Sequence, residues 1–554
     1  MDIDKLLKSI PRREIPSEMD RILSIPQVEQ GDGVKESIKW TKRLGTGGAT
    51  FRPTQGLALD ICEKYGGGFL LMQVGYGKTL VALAAGQAAG ATNPLILVPP
   101  ALVKQMHSEM EYWSKRFRFR KSVIESYNRL STVDGLLESI KPDMIIADEA
   151  HNLRHKGSVR TRRFLRYFRN NPRCGFLALS GTMTSKSLME YAHLLELALR
   201  ENAPIPLDYY DVQRWAACVD PKGEPNKSDL LSMAPLIKWA ELGDFAVTNK
   251  KYIRKAFKKR LVSAPGVITT VSGSCGASLY LPRHKVEHSA EIKKALKVLK
   301  NQWELPDGEP IADASVHSFA QKNLSLGFYY QLDWGKNGPN YEWLEARRSL
   351  DRLVARVLRY SPREGRDSPA LVIEWSRAGG GSNELRDAIH AWDQIRYKAK
   401  PKTVPVWICE QKIDYLMNWV NSQKKSTIVW YRSKAIEGKL KQHGMSVHGE
   451  GSDAPSGQTC AASIAVHGKG RNLQMYHNCF IVETPSNGGT FEQLLGRTHR
   501  SGQKADAVWW NYFEFGTALR KAKKDAEYIQ ETTGSIQKLN LATFIDYTKE
   551  IKKC

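Results

Sequence analysis

The feature that most constrains the fold of this chain is a repeated alternation of short apolar runs with amphipathic segments. Four apolar runs occur between residues 68 and 180, and the alternation returns between about 405 and 482. Continuous apolar strands that alternate with amphipathic helices are typical of a parallel sheet covered on both faces. The runs are 68–72, 94–98, 144–147 and 176–179, and then 427–431, 462–466 and 479–482. The sequence therefore predicts two α/β units.

The residues between these two units follow a different pattern. From about 200 to 400 the chain is helix-biased, basic and rich in aromatic residues. A chain of 554 residues is also too long for one core and should divide into several units. We expect an N-terminal segment (1–45), a first α/β lobe (46–200), a mainly helical insertion that carries the substrate region (201–404), a second lobe (405–522) and a basic helical tail (523–554).

The charge of the chain points to a polyanionic partner. Lysine and arginine number 82 against 58 aspartate and glutamate residues, a formal net charge of +24. Neutralising phosphates with such side chains releases counterions, which favours nucleic-acid binding; a solubilising surface is the alternative. No apolar run reaches the roughly 18 residues that a membrane span needs. The start does not resemble a secretory signal, so we expect a soluble protein of the cytoplasm, with the nucleus not excluded.

A glycine-rich turn follows the first apolar run and precedes a helix-like segment. It contains Gly75, Gly77, Lys78 and Thr79. In this context the glycines let backbone N–H groups approach phosphates, Lys78 offers a positive charge to them, and Thr79 can ligate Mg²⁺. The segment is predicted to be a phosphate-binding loop, although Met72 stands where the general pattern has its first glycine.

Two adjacent acids close the third apolar run. Asp148 is placed to hold the Mg²⁺ shell, and Glu149 to orient and deprotonate the attacking water. A capped strand end would explain one acid, but not both acids together with an upstream phosphate loop. We therefore expect these two carboxylates to complete an ATP site.

Three late residues are candidates for the same site. Gln493, Arg497 and Arg500 are spaced so that one helical face would present all three. Arginines directed at a γ-phosphate stabilise the charge that develops during its transfer. The alternative is a solvated basic face near a helix C-terminus. We predict catalytic roles for these residues beside Glu149.

The string 492–503, Glu-Gln-Leu-Leu-Gly-Arg-Thr-His-Arg-Ser-Gly-Gln, resembles motif VI of superfamily 2 helicases, and most closely that of the Swi/Snf-like branch. Other blocks agree with this branch in order and spacing. They are Phe-Arg-Pro-Thr-Gln at 51–55, Val-Gly-Tyr-Gly-Lys-Thr at 74–79, the DEAH box Asp-Glu-Ala-His-Asn-Leu at 148–153, Leu-Ser-Gly-Thr at 179–182 and Gly-Lys-Gly-Arg-Asn-Leu-Gln at 468–474. The resemblance covers roughly 50–200 and 405–520. It departs from the family at Ser180, where threonine is usual, and at Arg471, where leucine is usual.

The resemblance implies a fold, an activity and further site residues. The fold would be two RecA-like parallel-sheet lobes that close on one ATP, with the helical insertion between them. It implies that Gln55 contacts adenine and that Arg52, Tyr76 and Gly470 belong to the ATP-binding site, with ATP and Mg²⁺ as cofactors. The expected activity is ATP-driven translocation on duplex DNA.

Two other functions stay open at this point. One is a helicase that separates the strands of DNA or RNA. The other belongs to a different class: an ATP-gated factor that docks on RNA polymerase or a replication complex through the helical insertion. The sequence does not fix the oligomeric state.

Basic side chains outside these motifs are candidate nucleic-acid contacts. Arg154, Arg162 and Arg163 follow the DEAH box, and Lys258 and Lys259 belong to a second cluster with interleaved aromatic residues. Each cluster fits a phosphate track as well as it fits a solvated or packed helix face. Five tryptophans of the middle region fit base stacking, but also an ordinary core.

Overall fold

A computed structural model describes residues 17–547 except 185, 241–248, 271–274, 312, 361–368, 400, 454, 469 and 515–517. It contains a six-stranded sheet and a seven-stranded sheet, and every strand pairing in both is parallel. Helices accompany both sheets. The predicted α/β fold with two parallel-sheet lobes is confirmed.

The first lobe is formed by residues 17–270. Its strands are β1 (Gly68–Leu71), β2 (Pro94–Val98), β3 (Val123–Ser126), β4 (Met144–Asp148), β5 (Gly175–Leu179) and β6 (Val267–Thr269). Its helices are α1 (Ser17–Ser24), α2 (Val34–Leu44), α3 (Pro53–Tyr65), α4 (Lys78–Ala88), α5 (Val103–Ser114), α6 (Tyr127–Thr132), α7 (Leu136–Ile140), α8 (Val159–Asn170), α9 (Ala192–Leu199), α10 (Tyr209–Val219), α11 (Lys227–Ser232) and α12 (Lys250–Val262). Short 3₁₀ turns lie at Pro100–Leu102, Ala150–Leu153, Leu188–Glu190, Arg200–Asn202 and Ala234–Trp239.

The strand order of the first sheet, β3-β2-β4-β5-β1-β6, decides which loops meet. Because β4, β5 and β1 are parallel neighbours, the loops that follow them lie side by side at one edge. Asp148, the last residue of β4, pairs with Leu179, the last residue of β5. The backbone N–H of Ser180 donates to the carbonyl of Leu70 at 3.1 Å. Three segments that are distant in sequence are thus brought together.

A small domain of helices and one two-stranded antiparallel sheet follows the first strand of the second lobe, β7 (Ser278–His284). This inserted domain comprises residues 285–410. Its elements are α13 (Ala290–Gln302), α14 (Ala314–Leu326), β8 (Phe328–Asp333), the 3₁₀ turn Gly335–Asn337, α15 (Tyr341–Tyr360), α16 (Pro369–Arg377), α17 (Asn383–Ile395) and β9 (Lys402–Trp407). Strands β8 and β9 pair antiparallel, from Phe328 opposite Trp407 to Asp333 opposite Lys402.

The second lobe is completed by the remainder of the chain. Its elements are α18 (Gln411–Ser422), β10 (Thr427–Tyr431), α19 (Lys434–Gln442), β11 (Val447–His448), β12 (Cys460–Ser463), α20 (Ile464–His467), β13 (Asn478–Ile481), α21 (Gly488–Leu495), β14 (Ala507–Phe513), α22 (Ala518–Thr533), α23 (Lys538–Leu541) and β15 (Thr543–Asp546). The sheet order is β11-β12-β10-β13-β14-β7-β15.

The domain boundaries predicted from the sequence need correction. Strands β6 and β7 lie within the predicted insertion of 201–404, yet each pairs into one of the two large sheets. The predicted tail of 523–554 contributes β15 to the second sheet, where it pairs with β7. In the predicted N-terminal segment, helix α2 packs on α3 and buries Trp40 completely. Strands β6 and β15, of three and four residues, are too short to show a periodicity. Strand β7 has seven residues, but it ends in Arg283 and His284 and is not a continuous apolar run.

None of the helices in the described part of the chain combines the length and the apolar character that crossing a bilayer requires.

Candidate active site between the two lobes

The predicted phosphate loop connects the end of β1 to the start of α4. Gly75 and Gly77 have φ values of 100° and 77°, a conformation that residues with a Cβ rarely adopt. Helix α4 begins at Lys78, so its free N–H groups point into the loop. The Lys78 Nζ donates to the carbonyl of Met72 at 3.1 Å and lies 3.7 Å from Glu149 Oε1. This arrangement of N–H groups and one ammonium group is suited to a phosphate chain.

Two side chains at the start of α3 form hydrogen bonds with the backbone of the loop. The Gln55 side chain donates to the carbonyl of Gly77 at 3.1 Å and accepts from the Arg52 backbone N–H at 2.8 Å. Arg52 Nη1 donates to the carbonyl of Gly75 at 3.0 Å, and its Nη2 donates to Ser501 Oγ in the second lobe at 3.3 Å. The structure therefore places Arg52 and Gln55 at the phosphate loop. In this conformation Gln55 is bonded to loop backbone, and its predicted adenine contact stays a prediction.

The two acids at the end of β4 differ strongly in electrostatic environment. Burial, followed by the charge of Glu149, raises the pKa of Asp148 to about 7. Burial also works to raise the pKa of Glu149, but Lys78, His151 and Arg497 outweigh it and hold that pKa well below its usual range. Glu149 is therefore ionised at neutral pH, whereas the buried Asp148 lacks sufficient cationic compensation.

The residues around Asp148 fit a magnesium ion held jointly with phosphate groups. Mg²⁺ prefers oxygen ligands and is usually bound by one or two carboxylates together with substrate phosphates. Asp148 supplies a buried carboxylate whose charge is under-compensated, and Thr79 supplies a hydroxyl in the first turn of α4. Across the described ranges, no cluster of three or more His, Cys, Asp or Glu side chains could hold a metal. The donor set thus matches a cation that arrives with a nucleotide.

A hydrogen-bonded group connects Glu149 to the loop after β5. His151 Nδ1 lies 3.3 Å from both Glu149 Oε2 and Ser180 Oγ, and Ser180 Oγ lies 3.4 Å from the same carboxylate oxygen. Ser180 Oγ also accepts from the backbone N–H of Thr182 at 3.1 Å. Serine at position 180 therefore supplies the hydroxyl that the usual threonine would supply. The additional methyl group of a threonine is not needed for this contact.

The late arginines approach the first lobe, but not from one helical face. Helix α21 ends at Leu495, so the prediction that Gln493, Arg497 and Arg500 share a helical face is wrong. Arg497 instead folds back: its Nε donates to the carbonyl of Gln493 at 2.9 Å, and its Nη1 to that of Arg471 at 3.0 Å. These bonds fix the turn after Gly496 and hold the Arg497 guanidinium inside the cleft.

Electrostatic interactions show where the two guanidinium groups lie. Burial, then repulsion from Arg500, lowers the pKa of Arg497 to about 10, while attraction to Glu149 opposes the shift. Burial also lowers the pKa of Arg500. Attraction to Glu109 of α5 opposes this shift, and repulsion from Arg52 adds to it. Both arginines of the second lobe therefore lie close to charged groups of the first. Lys78, Arg52, Arg497 and Arg500 thus all lie at the cleft.

Gln493 lies on a different side of the cleft. It is buried and contributes to a cavity of about 320 Å³ between the lobes. The other side chains of this cavity include His151, Arg154, Arg160 and Thr182 of the first lobe. The Gln493 side chain thus lines a cavity that neither arginine lines, beside His151 and the loop after β5.

Two glycines of the second lobe make close contact with the first lobe. A Cβ on Gly470, whose φ is 72°, would overlap Leu102 and lie 2.8 Å from Gln105 Oε1. A Cβ on Gly496 would lie 2.7 Å from Val74 Cγ1 in the phosphate loop. The contacts of Gly470 are thus with α5 and the turn before it, and its predicted role in ATP binding stays a prediction.

Replacing Gly470 with alanine should separate the lobes. A left-handed alanine costs roughly 1–2 kcal/mol, and its methyl group needs the space of Leu102. We expect the kcat of ATP hydrolysis to fall by about tenfold or more. The melting temperature of the protein should change little, because the added methyl group lies outside the cores of the two lobes. Gly438→Ala in α19, where no atom lies near the added methyl group, is the matched control. Wild-type kcat in Gly470→Ala would show that this contact is not part of the active arrangement.

The C-terminal segment connects both lobes at the cleft, which sequence reasoning missed. The side chains of Ser535 and Gln537 each donate to the carbonyl of Gly181 at 3.2 Å, and the Gln73 side chain donates to the carbonyl of Ile536. The backbone N–H of Lys538 donates to Glu492 of α21 at 2.6 Å. These contacts use backbone groups and carry no recognisable motif, so no sequence signal marks them.

The candidate nucleic-acid residues after the DEAH box have different surroundings. Arg154 faces the cavity between the lobes, and Arg162 is exposed on α8. Arg163, in contrast, donates to the carbonyl oxygens of Leu130 and Ser131 at 3.0 and 2.9 Å. Its guanidinium is thus engaged at the C-terminal end of α6, which leaves Arg154 and Arg162 as the accessible members of this cluster.

Lys258 and Lys259 lie on α12, which packs against α22. Both side chains are half-buried, and the stem of Lys258 runs beside Gly534. The packed-helix alternative therefore accounts for at least part of this cluster.

Comparison with known proteins identifies a related domain within the first lobe. Residues 35–204 match the model of the SNF2-related domain. The match includes Arg52, the predicted phosphate loop and the two acids Asp148 and Glu149. A search of the curated proteins finds no significant match to the chain.

Proposed function

We propose that this protein is an ATP-dependent nucleic-acid motor of the Swi/Snf-like type. One observation carries the proposal. Arg497 and Arg500 of the second lobe lie within electrostatic reach of Glu149, Arg52 and Glu109 of the first. A site assembled from two lobes is completed only when the lobes approach each other, so its chemistry is tied to their relative motion. The SNF2-related match over 35–204 supports the same conclusion.

The contacts suggest a role for each group around the triphosphate of ATP. Lys78 and the N–H groups at the start of α4 would hold the phosphates, while Asp148 and Thr79 would hold Mg²⁺. The metal would neutralise phosphate charge and relieve the under-compensated carboxylate of Asp148. When the Lys78 ammonium group turns to a phosphate, it leaves Glu149. The pKa of Glu149 would then move back towards its ordinary value, which makes it a better acceptor for a proton of the attacking water.

Arg497 and Arg500 would stabilise the charge on the transferring phosphoryl group. They would do so from the second lobe, as arginine fingers do in other phosphoryl-transfer enzymes. Removal of that charge after hydrolysis would leave Arg52, Arg497 and Arg500 to repel one another. The lobes would then separate, and the cycle of closing and opening would move the protein along a phosphate backbone.

Duplex DNA is the substrate that we propose for this motor. The inserted domain, 285–410, has 20 basic against 17 acidic residues, which leaves 62 against 41 for the rest of the chain. Nearly all of the positive excess therefore belongs to the parts that include the two lobes. Contacts to phosphates do not depend on base sequence, which suits a protein that must move along a duplex.

ATPase and triplex-displacement assays test this substrate. We expect duplex DNA to stimulate ATP hydrolysis at least tenfold more than single-stranded DNA or RNA of equal length, and to support displacement of a third strand. A Lys78→Ala variant, which lacks the phosphate-loop ammonium, should do neither. Separation of the duplex without third-strand displacement would instead favour the strand-separating helicase, and ATPase activity indifferent to nucleic acid would contradict a nucleic-acid motor.

A docking role for the inserted domain is compatible with this motor. Its near balance of charges is unusual within such a basic chain, and it favours a protein partner over a phosphate backbone. We therefore propose that this domain contacts another protein.

A further inference from the structure

A large cavity lies in the inserted domain, far along the chain from every motif of the ATP site. Its volume is about 630 Å³. Helices α14 and α15, the antiparallel pair β8–β9 and the segment 305–311 contribute to its walls. Five aromatic side chains contribute to the lining: Phe319, Tyr329, Tyr330, Trp334 and Tyr341. The proposed motor needs none of these residues.

Some of the buried hydrogen-bond acceptors in the cavity walls lack a donor. Two buried acceptor atoms, Glu309 Oε1 and Asn323 Oδ1, have no partner among the described residues. Asn323 is only 2% exposed. No buried donor of these walls lacks a partner in the same way. Since unpaired buried acceptors are costly, the walls favour a ligand that brings N–H groups and positive charge.

Asp307 provides an exposed carboxylate at the same cavity. It accepts from the backbone N–H of Glu309 at 3.2 Å and forms no ion pair with a described residue. The two arginines of the lining are already compensated, because Arg348 pairs with Glu309 at 3.1 Å and Arg347 with Asp351 at 3.5 Å. The charge left over at the cavity is therefore negative.

The entrance of the cavity is apolar and open to solvent. Val316, Phe319 and Tyr341 of its lining are 51%, 49% and 76% exposed. Phe319 stacks on Tyr330 with ring centroids 6.1 Å apart and planes 4° from parallel. Aromatic faces beside a carboxylate are the surroundings in which lysine and arginine side chains are bound through cation–π contacts. Large exposed aromatic groups around a cavity are also typical of protein-binding sites.

We propose that this cavity binds a lysine or arginine side chain presented by a segment of a partner protein. The cation would lie against the aromatic rings and pair with Asp307, and the flanking partner residues would cover Val316, Phe319 and Tyr341. The uncompensated Asp307 carboxylate favours a cationic occupant over a phosphate backbone. The inference is independent of ATP hydrolysis and of the DNA substrate.

The site is firmly attached to the second lobe. Lys322 lies on α14, the helix that also carries Phe319 and Asn323, and its Nζ donates to the carbonyl of Thr484 at 3.2 Å. Thr484 is four residues before α21. A partner held in the cavity is therefore held by the motor and not by a loosely tethered domain.

Peptide selection on the full-length protein tests the proposal. Peptides that bind the wild type are selected from a library of random displayed dodecapeptides. Peptides that also bind the Asp307→Asn variant are removed, and the remaining binders are synthesised. We expect a shared arginine or lysine, whose replacement by citrulline or norleucine weakens binding at least tenfold in fluorescence anisotropy. Asp307→Asn and Phe319→Ala should each weaken binding of the unmodified peptide to the same extent.

Two matched controls separate the cavity from its surroundings. Asp333, in the same domain and outside the cavity, likewise accepts from a backbone N–H two residues ahead, and Tyr397 is 70% exposed. Asp333→Asn and Tyr397→Ala should leave peptide affinity within twofold of the wild type, and all variants should melt at the same temperature. Selected peptides without a basic residue, affinities unaffected by Asp307→Asn, or no selected peptide would overturn the proposal. The proposal would also be overturned if a single-stranded dodecanucleotide displaced the peptides from the protein and bound the Phe319→Ala variant more weakly than the wild type.

Discussion

Arg500→Ala is expected to lower the kcat of ATP hydrolysis by about 10³-fold, the effect of losing an arginine that stabilises a transferring phosphoryl group. The Arg500 guanidinium lies near Arg52 and Glu109 of the other lobe, and burial lowers its pKa. Ground-state binding depends mainly on the phosphate loop, so the Kd for a fluorescent ATP analogue should change by only a few-fold. Steady-state turnover with saturating ATP and duplex DNA measures the loss.

Arg520→Ala is the control for this variant. Arg520 is exposed on α22 of the same lobe, so the same deletion of charge should leave kcat unchanged. If Arg500→Ala turned over ATP within a few-fold of the wild type, the site would not be shared between the lobes. The proposed motor would then have to be abandoned.

Glu149→Gln should bind ATP but hydrolyse it about 10²–10⁴ times more slowly, the range expected for the loss of a general base. Glutamine has the same shape as glutamate, so the contacts with His151 and Ser180 can persist as neutral hydrogen bonds. The charge that faces Lys78 at 3.7 Å disappears, which leaves that ammonium group free for phosphate and keeps ATP affinity equal or higher. Single-turnover hydrolysis separates the two effects.

Glu125→Gln provides the comparison within the first lobe. Glu125 is also a carboxylate near the carboxyl end of a parallel strand, but it pairs with Arg129 at 3.5 Å, away from the phosphate loop. Its replacement should change kcat less than twofold. A Glu149→Gln enzyme with near-normal single-turnover rates would assign the water-activating role to another group.

Much of the site could be predicted because each part is local. The phosphate loop needs glycines at positive φ directly before a helix, and the sequence carries Gly75 and Gly77 there. The two acids were predicted to follow the apolar run 144–147, and the observed strand ends one residue later, at Asp148. Strand, turn and helix are determined within about ten residues, so a single sequence is enough to identify them.

Predictions failed where the outcome depended on contacts across the fold. The run 462–466 is apolar and was predicted as a strand, but β12 ends at Ser463 and a helical turn follows. The helical face predicted for Gln493 and the arginines does not form, because the chain turns after Gly496. The Arg497 side chain bonds back to the Gln493 carbonyl. Helical spacing describes a continuing helix and cannot report where tertiary bonds end it.

The amino-acid pattern alone determined two parallel-sheet lobes, the phosphate loop and the two acids beside it, because backbone geometry and hydrophobic burial act over short distances. Only the folded chain decided that Ser501 meets Arg52, that Gly470 and Gly496 touch the first lobe, and that residues 535–538 connect both lobes. The cavity of the inserted domain likewise exists only after α14, α15 and the strand pair β8–β9 have packed. Such contacts join residues hundreds of positions apart, and their energies depend on shape and proximity that no local pattern encodes.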